Sequence, residues 1–97
     1  MNAVLVISER DNVATALESI DRGRKVRAGA AIVVAAEAIP RGHKLAVRAI
    51  RAGEAVVKYG SPIGTASADI AVGAHVHTHN VASDRGRGDL VAPGYAP

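Results

Sequence analysis

Three of the four histidines fall within six residues, His75-Val76-His77-Thr78-His79-Asn80. Imidazole both changes protonation near neutral pH and ligates transition metals, so this cluster is the strongest chemical signal in the chain. On a strand, residues two apart share a face, which would align His75, His77 and His79. Adjacent members of such a row stand about 6.6 Å apart at Cα, close enough to share one ion. His75 and His79 would stand about 13 Å apart on a straight strand, so a site using all three requires the chain to bend or end at His79. His75 and His77 are therefore the metal-ligand candidates, with Asp69, Asp84 or a partner needed to complete the set. A lone histidine on a half-exposed strand is an ordinary polar side chain; three at alternate positions point to a functional face. Whether that face binds metal or handles protons and anions is open at this level.

A second constellation, Ile39-Pro40-Arg41-Gly42-His43-Lys44, joins a proton carrier and a fixed positive charge on a turn. Pro40 sets the turn and Gly42 lets the backbone reverse closely. A histidine beside a lysine suits a carboxylate-bearing substrate, although an exposed turn with charged residues has the same composition. A third stretch, Lys58-Tyr59-Gly60-Ser61-Pro62-Ile63-Gly64, again places a lysine on a turn bounded by glycine and proline. It carries no phosphate-loop or dinucleotide fingerprint, and no Ser-His-Asp order is arguable from spacing.

The elements that must hold these groups are short. Val4 to Ile7 reads as a first strand, and Ala31 to Ala35, Glu54 to Tyr59 and Ala74 to His79 as later ones. Between them, Val13, Ala14, Ala16, Leu17 and Ile20 follow a helical spacing. Asp11 or Asn12 is available to cap its start and Gly23 to end it, so one short N-terminal helix is predicted. The pattern Ile-x-x-Gly begins at Ile20, Ile39, Ile50 and Ile70 and repeats after about 30 residues, which predicts two similar halves. The charged, glycine-rich stretch from Ala82 onward has no apolar periodicity and reads as a flexible tail or partner-binding arm. The organisation expected is a domain over residues 1–81 and a tail over 82–97.

Composition narrows the function classes. Ninety-seven residues suffice for one small domain, with little room for a deep cleft. There is no cysteine, which excludes disulfides, thiolate metal sites and cysteine nucleophiles. Apolar residues make up 48% but aromatics only 2%, so the core must be close-packed Val, Ile, Leu and Ala. The net charge of +3 suits anionic partners. Nucleic acid is not expected, because the aromatic platform of single-strand binders is missing. The basic stretch Arg22-Gly23-Arg24-Lys25-Val26-Arg27 straddles a glycine and reads as a solvated turn. The first apolar run lacks a basic leader and is too short to span a bilayer, so no membrane association and a cytoplasmic location are expected.

Three segments in order, Ile39-Pro40-x-Gly42-His43-Lys44, Ile50-x-x-Gly53-Glu54-x-Val56-x-Lys58-Tyr59-Gly60-x-Pro62-Ile63-Gly64 and Ile70-x-x-Gly73-x-His75-Val76-His77-x-His79-Asn80, resemble the N-terminal module of the altronate and galactarate dehydratases. This SAF module also resembles the small subunit of sulfolactate sulfo-lyase. The resemblance covers residues 31–81; the N-terminal third matches more loosely and the tail hardly at all. It implies a mostly β, small β-clip domain with pseudo-duplicated halves. It also implies a lyase that removes water or sulfite from an acidic hydroxy compound. In that reading the chain is a small subunit whose active site is shared with a separate large catalytic subunit, and it is inactive alone. A divalent metal, iron or manganese, is implied, held mainly by the large subunit. At the positions the resemblance covers, His43 and His77 are expected as catalytic and Lys44, Lys58 and Asn80 as substrate-binding. The resemblance does not assign the ion's ligands, and His75 and His77 are the metal-ligand candidates from their spacing. His75 and His77 should then lie on the order of 10 Å or less from His43 or Lys44, the scale of a small-molecule pocket. A homo-oligomer is left open. The competing readings are a non-catalytic assembly or regulatory module and a stand-alone binder of sugar acids or other carbohydrate.

Overall fold

The computed structural model describes residues 2–83. Nine strands follow one another: β1 (Val4–Leu5), β2 (Val13–Ala16), β3 (Lys25–Ala28), β4 (Ala31–Val34), β5 (Lys44–Ala46), β6 (Ala55–Lys58), β7 (Ser61–Ala66), β8 (His75–Val76) and β9 (Val81–Ala82). Every pairing is antiparallel. A four-stranded sheet runs in the order β1-β2-β5-β8, flanked by the β3-β4 hairpin and the three-stranded β6-β7-β9 sheet.

The central sheet is buried on both faces. Ala14, Ala16 and Leu45 point into one apolar cluster with Ile20, Val26, Val33 and Ile39. Val13, Ala46 and Val76 point into a second with Ile50, Val56, Ala66 and Ile70. Alternation along β2 and β5 thus feeds two half-cores from one pair of strands.

The Ile-x-x-Gly repeat is the device that closes each half. Ile20 bridges Ile39, and Ile50 bridges Ile70, each pair exchanging both backbone hydrogen bonds at 2.7–2.9 Å. All four side chains are buried. After each isoleucine the chain makes a four-residue turn closed by a bond such as His43 N–H to Pro40 O, 3.0 Å. The third residue of each is the repeat glycine, at φ between 84° and 90°. Its predecessor has negative φ, which defines a type II turn and explains why glycine is required there.

The predicted N-terminal helix is corrected: residues 13–16 form strand β2, and no helix occurs among the described residues. Two physical reasons account for the error. Val13, Ala14 and Ala16 are all buried because half-cores lie on both sides, so the run lacks the alternation of a one-sided strand. The presumed caps are engaged at long range instead. Asn12 mimics a strand residue against β6, with Val57 N–H donating to its Oδ1 at 2.7 Å and its Nδ2 donating to Ala55 O at 2.9 Å. Asp11 collects backbone N–H groups from Ile7, Ser8 and Gly60.

Other expectations meet the structure more closely. The predominance of strands agrees, and the strands expected near Val4, Ala31, Ala55 and Ala74 are present, though β8 ends at Val76. Of the basic stretch Arg22–Arg27, expected as a solvated turn, only Arg22 to Arg24 is an exposed turn, with Arg24 paired to Glu18 at 2.8 Å; Lys25, Val26 and Arg27 belong to β3, where Val26 is buried. Ala82, placed in the tail on sequence grounds, pairs with Thr65 of β7; the rest of that tail from residue 84 lies outside the described residues.

Candidate functional site

Strands β5 and β8 pair with Lys44 opposite Val76 and Leu45 opposite His75. Continuing that register by one residue sets His43 opposite His77, on the same face of the ladder as His75. The imidazoles meet accordingly. His43 stacks on His77 with ring centroids 3.9 Å apart and 13° between planes. His43 Nδ1 lies 2.8 Å from His75 Nε2, a hydrogen bond that places one proton between the two rings. One nitrogen from each of His43, His75 and His77 lies within 4.8 Å of the others, and all three residues are half-buried. His79 stands apart on the exposed turn, its ring tilted against His75 at 5.2 Å. The expected proximity of His75 and His77 to His43 is therefore met at contact distance.

Backbone locks hold these rings. His43 follows the Pro40–Gly42 turn, and its carbonyl accepts the Ala16 N–H at 2.8 Å. On the other strand, the Ala71–Ala74 turn packs so closely that a Cβ on Gly73 would overlap the Val34 carbonyl oxygen. Beyond Val76 the chain curls back, and Asn80 clasps the curl. Its Oδ1 accepts the His77 N–H at 2.9 Å and its Nδ2 donates to the His75 carbonyl at 2.9 Å. Both ends of the Asn80 amide are thus committed to orienting the histidines.

Sequence reasoning missed Glu37, whose carboxylate accepts the His75 backbone N–H at 3.0 Å. This satisfies a donor on the outer edge of the sheet. Nothing in a single exposed glutamate between alanines could have signalled it. Thr15, opposite Lys44 in the sheet, was missed as well; its buried hydroxyl has no hydrogen-bond partner.

The electrostatics favour the neutral form of His75 and His77. Burial lowers the His75 pKa below its ordinary value, reinforced by His43, His79 and His77 against an opposing pull from Glu37. His77 is lowered by desolvation, then by His43, Lys44 and His79. Lys44 lies on the other face of the pleat, at the same end of the ladder. Its pKa is lowered by burial and by the charge of Lys58. Lys58 places its ammonium 4.8 Å from the centroid of the Tyr59 ring, at the tip of the β6-β7 hairpin. The arrangement is a three-imidazole cluster with Lys44 beside it and Lys58 next to Lys44. Such a group can ligate a metal or exchange protons on one side and hold an anion on the other.

Comparison with known proteins gives a consistent result. The SAF domain of the altronate/galactarate dehydratases matches residues 2–84. Altronate dehydratase of Bacillus subtilis (strain 168) is 41% identical over 80 residues, covering 82% of this chain and 16% of that protein. Altronate dehydratase of Escherichia coli (strain K12) is 49% identical over 70 residues, 72% of this chain and 14% of the enzyme. The (2R)-sulfolactate sulfo-lyase subunit alpha of Paracoccus pantotrophus is 51% identical over 47 residues, 48% of this chain and 70% of that subunit. The chain therefore spans about one seventh of the altronate dehydratases it matches and most of the sulfo-lyase subunit.

Proposed function

This chain belongs to the SAF domain family of the altronate/galactarate dehydratases, and from that premise we propose that it supplies one wall of a hydroxy-acid lyase active site completed by a catalytic polypeptide. The observation that carries this reading is the convergence of His43, His75 and His77 from two distant segments into one half-buried cluster. A purely structural module gains little from gathering three titratable rings in one place.

The reaction is the loss of water, or of sulfite, from an acidic hydroxy compound. A base takes the proton beside the carboxylate, the bond to the leaving group breaks, and the resulting enol becomes a keto acid. On this chain, Lys44 and Lys58 hold the substrate carboxylate as compact charges. The imidazole cluster serves the departing group, and the base comes from the catalytic partner. Asn80, assigned to substrate on sequence grounds, acts here by positioning His75 and His77. A divalent metal would act as a Lewis acid toward the leaving group.

The test is turnover of altronate, galactarate and sulfolactate by this chain assembled with its catalytic polypeptide, read as keto-acid formation. His77→Ala should assemble normally and lower turnover about 100-fold or more. Native turnover by that variant in an intact assembly would reduce the chain to an assembly module. Binding of a sugar acid by the isolated chain, unaffected by the histidine changes, would support a carbohydrate-binding role instead.

A further inference from the structure

From the cluster geometry we infer that this chain by itself holds a first-row divalent transition ion, bound by His43, His75 and His77 with its remaining coordination positions open. This inference rests on the lyase reading for its purpose but not for its geometry. It also moves the metal: histidine spacing suggested two ligands here and the family resemblance implied an ion held mainly by a large subunit, whereas the fold brings a third imidazole from 32 residues away.

The donor set fits. Ligand nitrogens around a tetrahedral ion with bonds of about 2.0–2.1 Å stand about 3.3 Å apart. His43 Nδ1 and His75 Nε2 already lie 2.8 Å apart, and the three nitrogens span no more than 4.8 Å. All three reach one ion once the His43 and His77 rings, now stacked 3.9 Å apart with 13° between their planes, turn so that their in-plane lone pairs converge. The proton now shared by His43 and His75 occupies the place of such an ion, since a metal needs both lone pairs it bridges. The backbone supports are of the kind that fix ligand orientation, namely the Asn80 clasp and the Glu37 carboxylate on the His75 N–H.

The chemistry of the donors names the class of ion. Three neutral nitrogens and no carboxylate in the set favour zinc, iron, cobalt, nickel or copper over calcium and magnesium, which take oxygen ligands. Three protein ligands with open positions is the arrangement of a catalytic ion, because water or a substrate hydroxyl can enter.

The experiment uses the full chain, stripped with a chelator and titrated with cobalt(II). The visible d–d bands should saturate at one ion per chain. In parallel, the ring-nitrogen resonances of His43, His75 and His77 should be lost or shifted while the backbone spectrum stays folded. This reading of the unmutated protein does not depend on a variant folding. His75→Ala should weaken cobalt binding about 100-fold or more, and His79→Ala by no more than about 3-fold. Absence of saturable binding by the folded chain would overturn the inference. So would equal losses in His79→Ala and His75→Ala, or displacement of cobalt by a tenfold excess of calcium. Failure of the lyase reading is separable. Cobalt bound by the three rings together with native turnover of His77→Ala in the assembly would remove the lyase role alone. A turnover defect in a chain that binds no ion would remove the metal site alone.

Discussion

Asp11 is the place where one substitution should reach both halves of the fold. Its side chain is buried, with 3% of its surface exposed. Oδ1 accepts the Gly60 N–H at 2.7 Å, and Oδ2 accepts those of Ile7 and Ser8 at 3.2 Å each. It thereby staples the β1-β2 loop to the hairpin tip that carries Lys58 and Tyr59. The short bond to a charged acceptor contributes about 1.5–3 kcal/mol and the two longer ones about 0.5–1 each. Asp11→Ala should therefore cost about 3 kcal/mol, a large part of the roughly 5–10 kcal/mol available to a domain of this size. In thermal unfolding that is a fall in Tm of about 12 °C or more. Asp11→Asn keeps one acceptor for Gly60 but turns an NH2 toward two other donors, and should lose about 2 kcal/mol. The pH dependence follows from the same contacts. Burial raises the carboxyl pKa, but the N–H groups of Gly60, Ser8, Ile7 and Tyr59 outweigh it, and the net shift is below the ordinary 3.8. The native state then binds fewer protons than the unfolded one in the window beneath 3.8. The contribution of Asp11 is full above that value and disappears as pH falls through the native pKa. Urea unfolding at pH 7 and at steps below pH 4 measures both effects. A loss under about 1 kcal/mol for Asp11→Ala, or parallel acid profiles for Asp11→Asn and the unmutated chain, would refute the reasoning.

Two further outcomes test how the histidines are held. Asn80→Ala should leave the fold intact at a cost of about 1–2 kcal/mol for two lost backbone bonds, while weakening cobalt binding about 10–100-fold; unchanged affinity would show that the clasp does not orient the rings. Gly73→Ala should destabilise by more than about 2 kcal/mol, since it adds a backbone overlap with Val34 to the strain of positive φ, whereas Gly53→Ala meets open space and should cost about 1 kcal/mol. Chemical denaturation of the two variants compares them directly, and equal losses would contradict the close approach.

Much of the local structure was legible because its causes are local. Glycine at the third position of each Ile-x-x-Gly turn reports a backbone that only glycine adopts easily, and all four turns formed. Period two across His75, Val76 and His77 reported a buried valine between two outward imidazoles, and Val76 is buried in the second half-core. The family resemblance, carried by those same turns, brought His43 and Lys44 into the candidate site before any geometry was known.

What the chain's residues determined by themselves was therefore the turns, the predominance of strands and the identity of the chemically able side chains. The tertiary structure alone decided that residues 13–16 are a strand, because apolar periodicity reports burial on one side and β2 is covered on both. It alone decided that Asp11 and Asn12 reach across to β6 and its hairpin instead of capping a helix, since a capping residue and a long-range acceptor look identical in sequence. It also decided that Glu37 and Asn80 support the histidines. The three-imidazole cluster is a consequence of the β5-β8 register, in which His43 falls opposite His77 and beside His75. Cross-strand register is set by the packing of both half-cores against the central sheet, and no spacing along one segment encodes it.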